Sequence, residues 1–347
     1  MRAAVTTAPG RMEVREVPAP APGPGEALVR VEVAGICGSD LHFFEGRNPY
    51  ANYPQTQGHE FSGRVVAFGD AAGAAASAVR VGQRVSVEPL LPCGDCYPCR
   101  KGRPNCCTRL KVLGVHTAGA FAEYVSVPVG TLYAADDLDA DLTALVEPLS
   151  IGMQVVTRGQ VSGEDTVAVY GAGMIGQAVL ACAADRGARV LVVDRVPARL
   201  QLARALGAER VVDAGSEDGV AAILDWTEGD GAAVVVDATG APAVIRAAVD
   251  AVAFAGRIVI VGISVQEVSL PIPEFTRKEL TILGSRNNAG VFGQALDLVR
   301  RHGERLRTLV TQRYPLDRAP EAIDFVLHHP AEAEKVLLDV APPEGGA

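Results

Sequence analysis

The sequence predicts an α/β chain, with a β-rich first domain followed by a doubly wound domain built on a parallel sheet. Three observations predict it. Short strands broken by glycine and proline fill the N-terminal part. From Thr166 onward, apolar strands alternate with amphipathic helices. A glycine-rich turn opens the first helix of that alternation.

In chain order, Ala27–Val33, Phe61–Ala67, Arg84–Val87 and Phe121–Val127 read as strands whose spacing fits a compact barrel or sandwich. The Ala-rich stretch 71–78 reads as a surface loop. Val167–Tyr170, a helix through Ala183, Val190–Asp194 and a helix over Ala198–Leu206 form the first βαβ unit. Val211–Val212, a helix near Val220–Trp226, Ala233–Asp237, a helix near Ala243–Val252 and Arg257–Val261 extend the pattern, and Lys278–Gly284 reads as the last strand. Repeated βαβ units imply a parallel sheet covered on both faces. After Ser285 come a helix (Phe292–Arg301), a short strand near Arg313, a helix (Ala319–His328) and a final strand (Lys335–Val340). The expected domains are 1–147, 148–285 and a segment 286–347 that returns to the first domain and leaves a cleft between the two bodies. The tail 342–347 is expected to be disordered.

Length and composition agree with this reading. A chain of 347 residues exceeds the size at which one core stops growing. Hydrophobic residues at 48% leave ample material for two cores. A net charge of −9 argues against nucleic acid as a partner, because phosphate binding needs clustered Lys and Arg. The longest apolar runs, such as Ala232–Val236, are too short to span a bilayer. The opening MRAAVTTAPGRMEV lacks the charged start, apolar run and cleavage site of a secretory signal, so a cytoplasmic protein is expected. In a reducing compartment, clustered cysteines bind metal or do chemistry more often than they form disulfides.

The turn Gly171-Ala-Gly173-Met174-Ile175-Gly176 follows an apolar strand and opens a helix. Its glycines permit a tight bend and close approach of backbone N–H groups to a pyrophosphate, which then sits on the helix N-terminus. The next strand ends at Asp194, where a carboxylate can accept the ribose hydroxyls of NAD and repel the 2′-phosphate of NADP. Arg195 and Arg199 stand close by and soften that preference, or serve only as solvated charges at a helix start.

Cys93-Gly-Asp-Cys96-Tyr-Pro-Cys99 is followed after a short spacer by Cys106 and Cys107. Four thiolates at such spacing close tetrahedrally around one zinc with no open position, which makes the site structural. Two disulfides or an iron–sulfur cluster are the alternatives, and Cys106 competes with Cys107 for the fourth place. Cys182 lies within an apolar helix and reads as an inert core thiol.

A second set of candidates comprises Cys37-Gly-Ser39-Asp40-Leu-His42, Gly58-His59-Glu60 and, far downstream, Glu147-Pro148. A catalytic zinc takes about three protein ligands and keeps one position open for water or a substrate oxygen. Cys37 and His59 supply two ligands, and Glu60 or Glu147 the third. Taken singly, each has a plainer reading: a buried small hydrophobe, a hydrogen-bonded histidine, a helix N-terminal charge.

Taken together, GHE at 58–60, CGSDLH at 37–42, the four-cysteine loop, GAGMIG and the late Glu-Pro resemble the zinc-containing medium-chain dehydrogenases over nearly the whole chain. The resemblance implies a GroES-like catalytic domain interrupted by a Rossmann domain, two zinc ions per chain, NAD as cofactor, and a homotetramer or homodimer. It implies that Cys37 and His59 ligate the catalytic zinc and that Glu60 is a ligand or exchanges with water. Ser39 would hydrogen-bond the reacting alcohol, His42 would pass its proton to solvent, and Asp40 would orient His59. Cys93, Cys96, Cys99 and Cys107 would hold the structural ion.

Glu147 stands where many alcohol dehydrogenases of that family have a second cysteine ligand, and the resemblance places such chains in the polyol and threonine dehydrogenase branch. Within the branch, ICGSDLHFFEGRNPYANYP, LGVHTAGAFAEY and LGSRNNAGVF resemble bacterial dehydrogenases of sugar acids such as L-gulonate or L-galactonate. A hexonate pocket needs a cation and hydrogen-bonding groups, for which Arg47, His116, Arg286 and Asn287 are candidates. Oxidation of a sorbitol-like polyol or of L-threonine is the alternative. A zinc-stabilised regulatory protein without catalysis is the alternative of another class, disfavoured by the intact set of site residues.

Overall fold

The computed structural model describes residues 1–70 and 79–341, so the expected loop 71–78 and tail 342–347 lie outside the described residues. The chain divides into two compact units, Met1–Glu147 with Ala295–Ala347, and Pro148–Gln294. Among the described residues, no helix is long and apolar enough to cross a membrane.

The first unit is organised around the strand Glu26–Ile36. It pairs antiparallel with Glu60–Phe68, with Tyr124–Pro128 and with the final strand Lys335–Asp339. Alternate residues Ala27, Val29, Val31 and Val33 point into the core, as the two-residue period of a half-buried strand requires. Ala27, Val29 and Val31 share a core with Phe61, Phe121 and Val125, and Val33 packs with Ala144 and Leu337. A smaller sheet joins Arg2–Ala8, Arg11–Glu16 and Gln55–Thr56.

Register in this sheet decides which polar groups meet. Gly35 pairs with Glu60 on one side, while Val336 pairs with Ile36 on the other. Glu60 and Lys335 are thereby brought together across Gly35, although they lie far apart in sequence. A Cβ on Gly35 would come within 2.6 Å of Glu60 Oε2 and 3.3 Å of Lys335 Cδ, so the glycine leaves the space that the pair fills.

The second unit carries six parallel strands in the spatial order Arg210–Asp213, Arg189–Asp194, Thr166–Tyr170, Ala232–Asp237, Val252–Ile260, Thr281–Gly284. Helices connect successive strands, and the central strands are buried along nearly their whole length, which is why they read as continuous apolar runs. This is the doubly wound arrangement with its chain reversal beside the first strand.

One element differs from the sequence reading. Lys278 does not begin the last strand; it ends a helix, Ile272–Lys278, and the strand starts at Thr281. Glu279 adopts a left-handed backbone (φ 51°) that turns the chain between them. The Lys278 ammonium is buried and donates to the carbonyls of Val249, Asp250 and Val252 at the end of the preceding helix, satisfying acceptors that a helix end leaves open.

Candidate metal centres and dinucleotide site

Cys37 caps the short helix Gly38–Phe44, and Asp40 on its first turn accepts the Cys37 N–H through Oδ2 at 2.9 Å. His59 and Glu60 enter from the start of the strand Glu60–Phe68. Gly58 before them has φ +96°, and a Cβ there would lie 2.5 Å from the Phe121 ring, so this tight approach admits glycine. The result is one cluster: donor atoms of Cys37, His59 and Glu60 all lie within 4.8 Å of one another. With metal–ligand bonds of about 2.0–2.3 Å, such a Cys–His–carboxylate set fits a single zinc.

Glu147, in the first turn of the helix Val146–Arg158, is outside that tightest set but buried beside it. Burial raises its carboxyl to about 7; Glu60 and Asp40 push the same way, against His59 and Lys335. Burial opposes a charge on His59, yet Asp40, Cys37 and Glu147 together lift its pKa well above the ordinary value. His59 Nδ1 lies 3.8 Å from Asp40 Oδ1 and has no hydrogen-bond partner, while Nε2 is 3.5 Å from Ser39 Oγ. Four potential anions, Cys37, Asp40, Glu60 and Glu147, thus face His59 and Lys335. A dication in their midst resolves the imbalance.

Cys93, Cys96, Cys99 and Cys107 form a second cluster with Sγ–Sγ separations of 3.4, 3.7 and 3.4 Å along the chain of contacts. A tetrahedral ion with bonds of about 2.3 Å sets its sulfurs about 3.8 Å apart, so the four thiols fit zinc. All seven cysteines are free thiols. The fourth member is the buried Cys107, and Cys106 is exposed and outside the cluster. Backbone N–H groups of Cys93 and Arg109 each reach Cys107 Sγ at 3.3 Å. The Cys99 amide helps pull the Cys96 thiol down to about 6, as thiolate ligation requires.

In the second unit, the chain leaves the strand Thr166–Tyr170 through Gly171 (φ +95°) and enters the helix Met174–Asp185 capped by Gly173. A Cβ on Gly176 would stand 1.7 Å from the Gly171 carbonyl oxygen, which makes this turn glycine-dependent. Asp194 ends the adjacent strand, but its carboxylate already accepts two backbone N–H groups, from Ala172 at 2.6 Å and Val196 at 2.8 Å. It therefore fixes the glycine turn. A carboxylate offers about four acceptor positions, so two remain for ribose hydroxyls. Arg195 is exposed; the Arg199 guanidinium lies 3.8–3.9 Å from where a Cβ on Gly173 would be.

Residues 23–137 match the alcohol dehydrogenase GroES-like domain, and residues 175–301 match the zinc-binding dehydrogenase family. L-galactonate-5-dehydrogenase of Escherichia coli K12 is 37% identical over 273 residues, covering 79% of this chain and 78% of that protein. The chain belongs to the zinc-binding, GroES-like alcohol dehydrogenase family. Two solved structures resemble this dehydrogenase along its whole length. The rspB alcohol dehydrogenase of E. coli CFT073, complexed with NADH, has a TM-score of 0.90 at 34% identity and covers 98% of this chain and 99% of its own. A zinc-binding dehydrogenase of Sinorhizobium meliloti 1021, bound to NADP, has a TM-score of 0.91 at 33% identity with the same coverage. The protein is a zinc-dependent alcohol dehydrogenase of the polyol branch.

The remaining candidates of the dehydrogenase are more dispersed. His42 is exposed in the last turn of the helix that Cys37 caps. Arg47 is exposed and ion-paired with Glu45. His116 is exposed; its Nδ1 accepts the Val112 N–H at 3.1 Å, and its ring meets Tyr50 with centroids 5.2 Å apart. Burial, with help from Lys111, lowers its pKa, so the neutral ring carries its proton on Nε2. Arg286 is exposed beyond the last parallel strand, next to Asn287 in a left-handed conformation (φ 46°).

Sequence reasoning missed Lys335, Gly35, Thr6 and Gln57. Lys335 is buried, pairs with Glu60 Oε2 and donates to the Ile36 carbonyl at 3.1 Å. Burial works against its charge, yet Glu60, Cys37 and Glu147 hold its pKa above the ordinary value. A lysine opening an otherwise apolar strand was the available signal.

Proposed function

We infer that this dehydrogenase oxidises a secondary alcohol of a sugar acid, such as L-gulonate or L-galactonate, with NAD as the hydride acceptor. The observation that carries the reading is Glu147, buried beside Cys37, His59 and Glu60, where a second cysteine would mark the simple-alcohol branch. Similarity to an L-galactonate-5-dehydrogenase over most of the chain supports it further.

In this reading Cys37, His59 and Glu60 would hold the catalytic zinc, with Glu147 the alternative carboxylate ligand. Zinc held there would supply a Lewis acid that lowers the pKa of an alcohol oxygen, and a bound nicotinamide would accept the hydride. Ser39 hydrogen-bonds that oxygen and carries its proton to His42, which faces solvent. Asp40 keeps His59 in one ring orientation. Arg286 and Asn287 are the proposed partners of the substrate carboxylate. Asp194 accepts the ribose hydroxyls while holding the glycine turn of Gly171, Gly173, Met174, Ile175 and Gly176. Its charge disfavours a 2′-phosphate, against which Arg195 and Arg199 act, so NAD outranks NADP. The four-cysteine zinc pins its loop.

The test follows NADH formation by zinc-loaded protein across hexonates, polyols and threonine, with a Cys37→Ala variant as control. Turnover on a hexonate, lost in Cys37→Ala, supports the proposal. Turnover confined to neutral polyols removes the carboxylate role of Arg286, and turnover confined to threonine refutes the sugar-acid substrate. Full activity of Cys37→Ala would refute the catalytic site itself.

A further inference from the structure

Directly before Gly58 stands Gln57, fully buried. Burying a primary amide costs free energy unless its donors and acceptor are met. They are met by two residues from elsewhere in the chain. Nε2 donates to the Asp40 carbonyl at 2.9 Å and to Asp40 Oδ1 at 3.3 Å, and Oε1 accepts the hydroxyl of fully buried Thr6 at 2.5 Å. Thr6 belongs to the strand Arg2–Ala8, whose neighbours Thr6–Gln55 and Val5–Thr56 are in register beside Gln57.

Both Asp40 atoms are acceptors, so the NH₂ end of the amide must face them. The Thr6 hydroxyl then has to donate to Oε1. The three side chains therefore define a single hydrogen-bond polarity running Thr6 to Gln57 to Asp40. At its far end, Asp40 has Oδ2 held by the Cys37 N–H, while Oδ1 lies 3.8 Å from His59 Nδ1, a buried nitrogen with no hydrogen-bond partner.

We propose that Gln57 and Thr6 are positioning residues for the catalytic metal centre, a buried tether that fixes the Asp40 carboxylate and through it the ring of His59. The proposal rests on His59 being a zinc ligand. Two of the three contacts to Asp40's oxygens, at its carbonyl and at Oδ1, come from Gln57. Without them the short helix Gly38–Phe44 and the His59 segment lose their shared anchor, and Asp40 is held to the backbone of Cys37 alone. An apolar residue of equal length would fill the same space and hold nothing.

The deciding variants are Gln57→Met with Thr6→Val, which removes both polar partners while keeping their shapes, and Thr6→Val alone. With cobalt in place of zinc, the four-cysteine site serves as an internal reference. The cobalt absorption bands of the Cys37–His59 site should shift, and metal should leave that site to a chelator about tenfold faster, the lower end of what partners behind a metal ligand contribute. The bands and retention of the four-cysteine site should not change. Thr6→Val alone should act in the same direction to a smaller extent, and it decides the question if the double variant does not fold. Unchanged bands and release rate in a folded variant would overturn the proposal. A wild-type protein that binds a single metal ion per chain, at the four cysteines, would instead refute the catalytic-zinc reading beneath it.

Discussion

Lys335→Met in the metal-free protein tests the electrostatic account of the site most directly. The substitution keeps the length and apolar stem of the side chain and deletes the cation that pairs with Glu60 and donates to the Ile36 carbonyl. Both partners are almost wholly removed from solvent, with relative exposures of 3% and 2% for the two side chains. Water therefore cannot replace the lost cation. Removing one member of a buried pair leaves an uncompensated charge and costs about 3–5 kcal/mol. At about 2–4 °C per kcal/mol for a unit of this size, Tm of the first unit should fall by roughly 6–20 °C.

Thermal unfolding followed by circular dichroism, after chelation of both zinc ions, is the assay. Glu60→Met should be costly by itself for the mirror-image reason. Combining it with Lys335→Met should recover most of the loss, because two apolar groups of matching shape leave nothing unpaired. The double-mutant cycle should give a coupling energy of about 3 kcal/mol. Additive single effects, or a Tm drop below about 2 °C for Lys335→Met, would refute the claim that this pair holds the strand Lys335–Asp339 to the metal site. Readding zinc should shrink the defect, since a ligated Glu60 no longer depends on the lysine.

Much of the second unit was legible in the sequence because its signals are local. The central parallel strands are buried along nearly their whole length and read as apolar runs, and Gly171 and Gly176 have backbone reasons within the turn itself. The misread stretch at 272–280 shows the limit. Pro271 and Pro273 open a helix of two turns whose end, Lys278, adjoins a four-residue strand, and no periodicity separates elements that short. In the first unit the four cysteines announced themselves by spacing, whereas the choice of Cys107 over Cys106 depended on which thiol the turn buries.

The proposed catalytic cluster was legible only in its candidate ligands. Cys37, His59 and Glu60 belong to short motifs, but what supports them arrives by strand register. Glu60 meets Lys335 because both flank Gly35 in one sheet, and Gln57 meets Thr6 because two short strands pair there. None of Thr6, Gly35, Gln57 or Lys335 carries a motif. Each is an ordinary residue type made exceptional by burial, and burial of a lone polar residue cannot be read from one sequence. Asp194 is the reverse case: the motif pointed to a ribose contact, while the structure adds two backbone amides that the pattern did not disclose.

The remaining predictions bear on each site in turn. Gly35→Ala should crowd the Glu60–Lys335 pair and reduce the zinc bound at the Cys37 site, measured by metal content, with the four-cysteine zinc retained. Cys96→Ser should lower Tm and release the structural zinc, and an unchanged melting curve would contradict that role. Asp194→Asn keeps one acceptor and loses the charge, so KM for NAD should rise about 10–100-fold while discrimination against NADP narrows. For Glu147→Gln the argument runs through pH. Burial raises the Glu147 carboxyl to about 7 in the folded, metal-free protein, against about 4.3 in an unfolded chain. Between those values the folded state holds a proton that the unfolded state has released, so stability must fall as pH rises through this window and level off above it, a loss of about 4 kcal/mol in all. Glu147→Gln removes that component, so urea unfolding of the metal-free variant should show a flatter profile from about pH 4.5 to 7 than wild type. Parallel profiles would mean that Glu147 is ionised throughout, and that the cluster is already balanced without a metal ion.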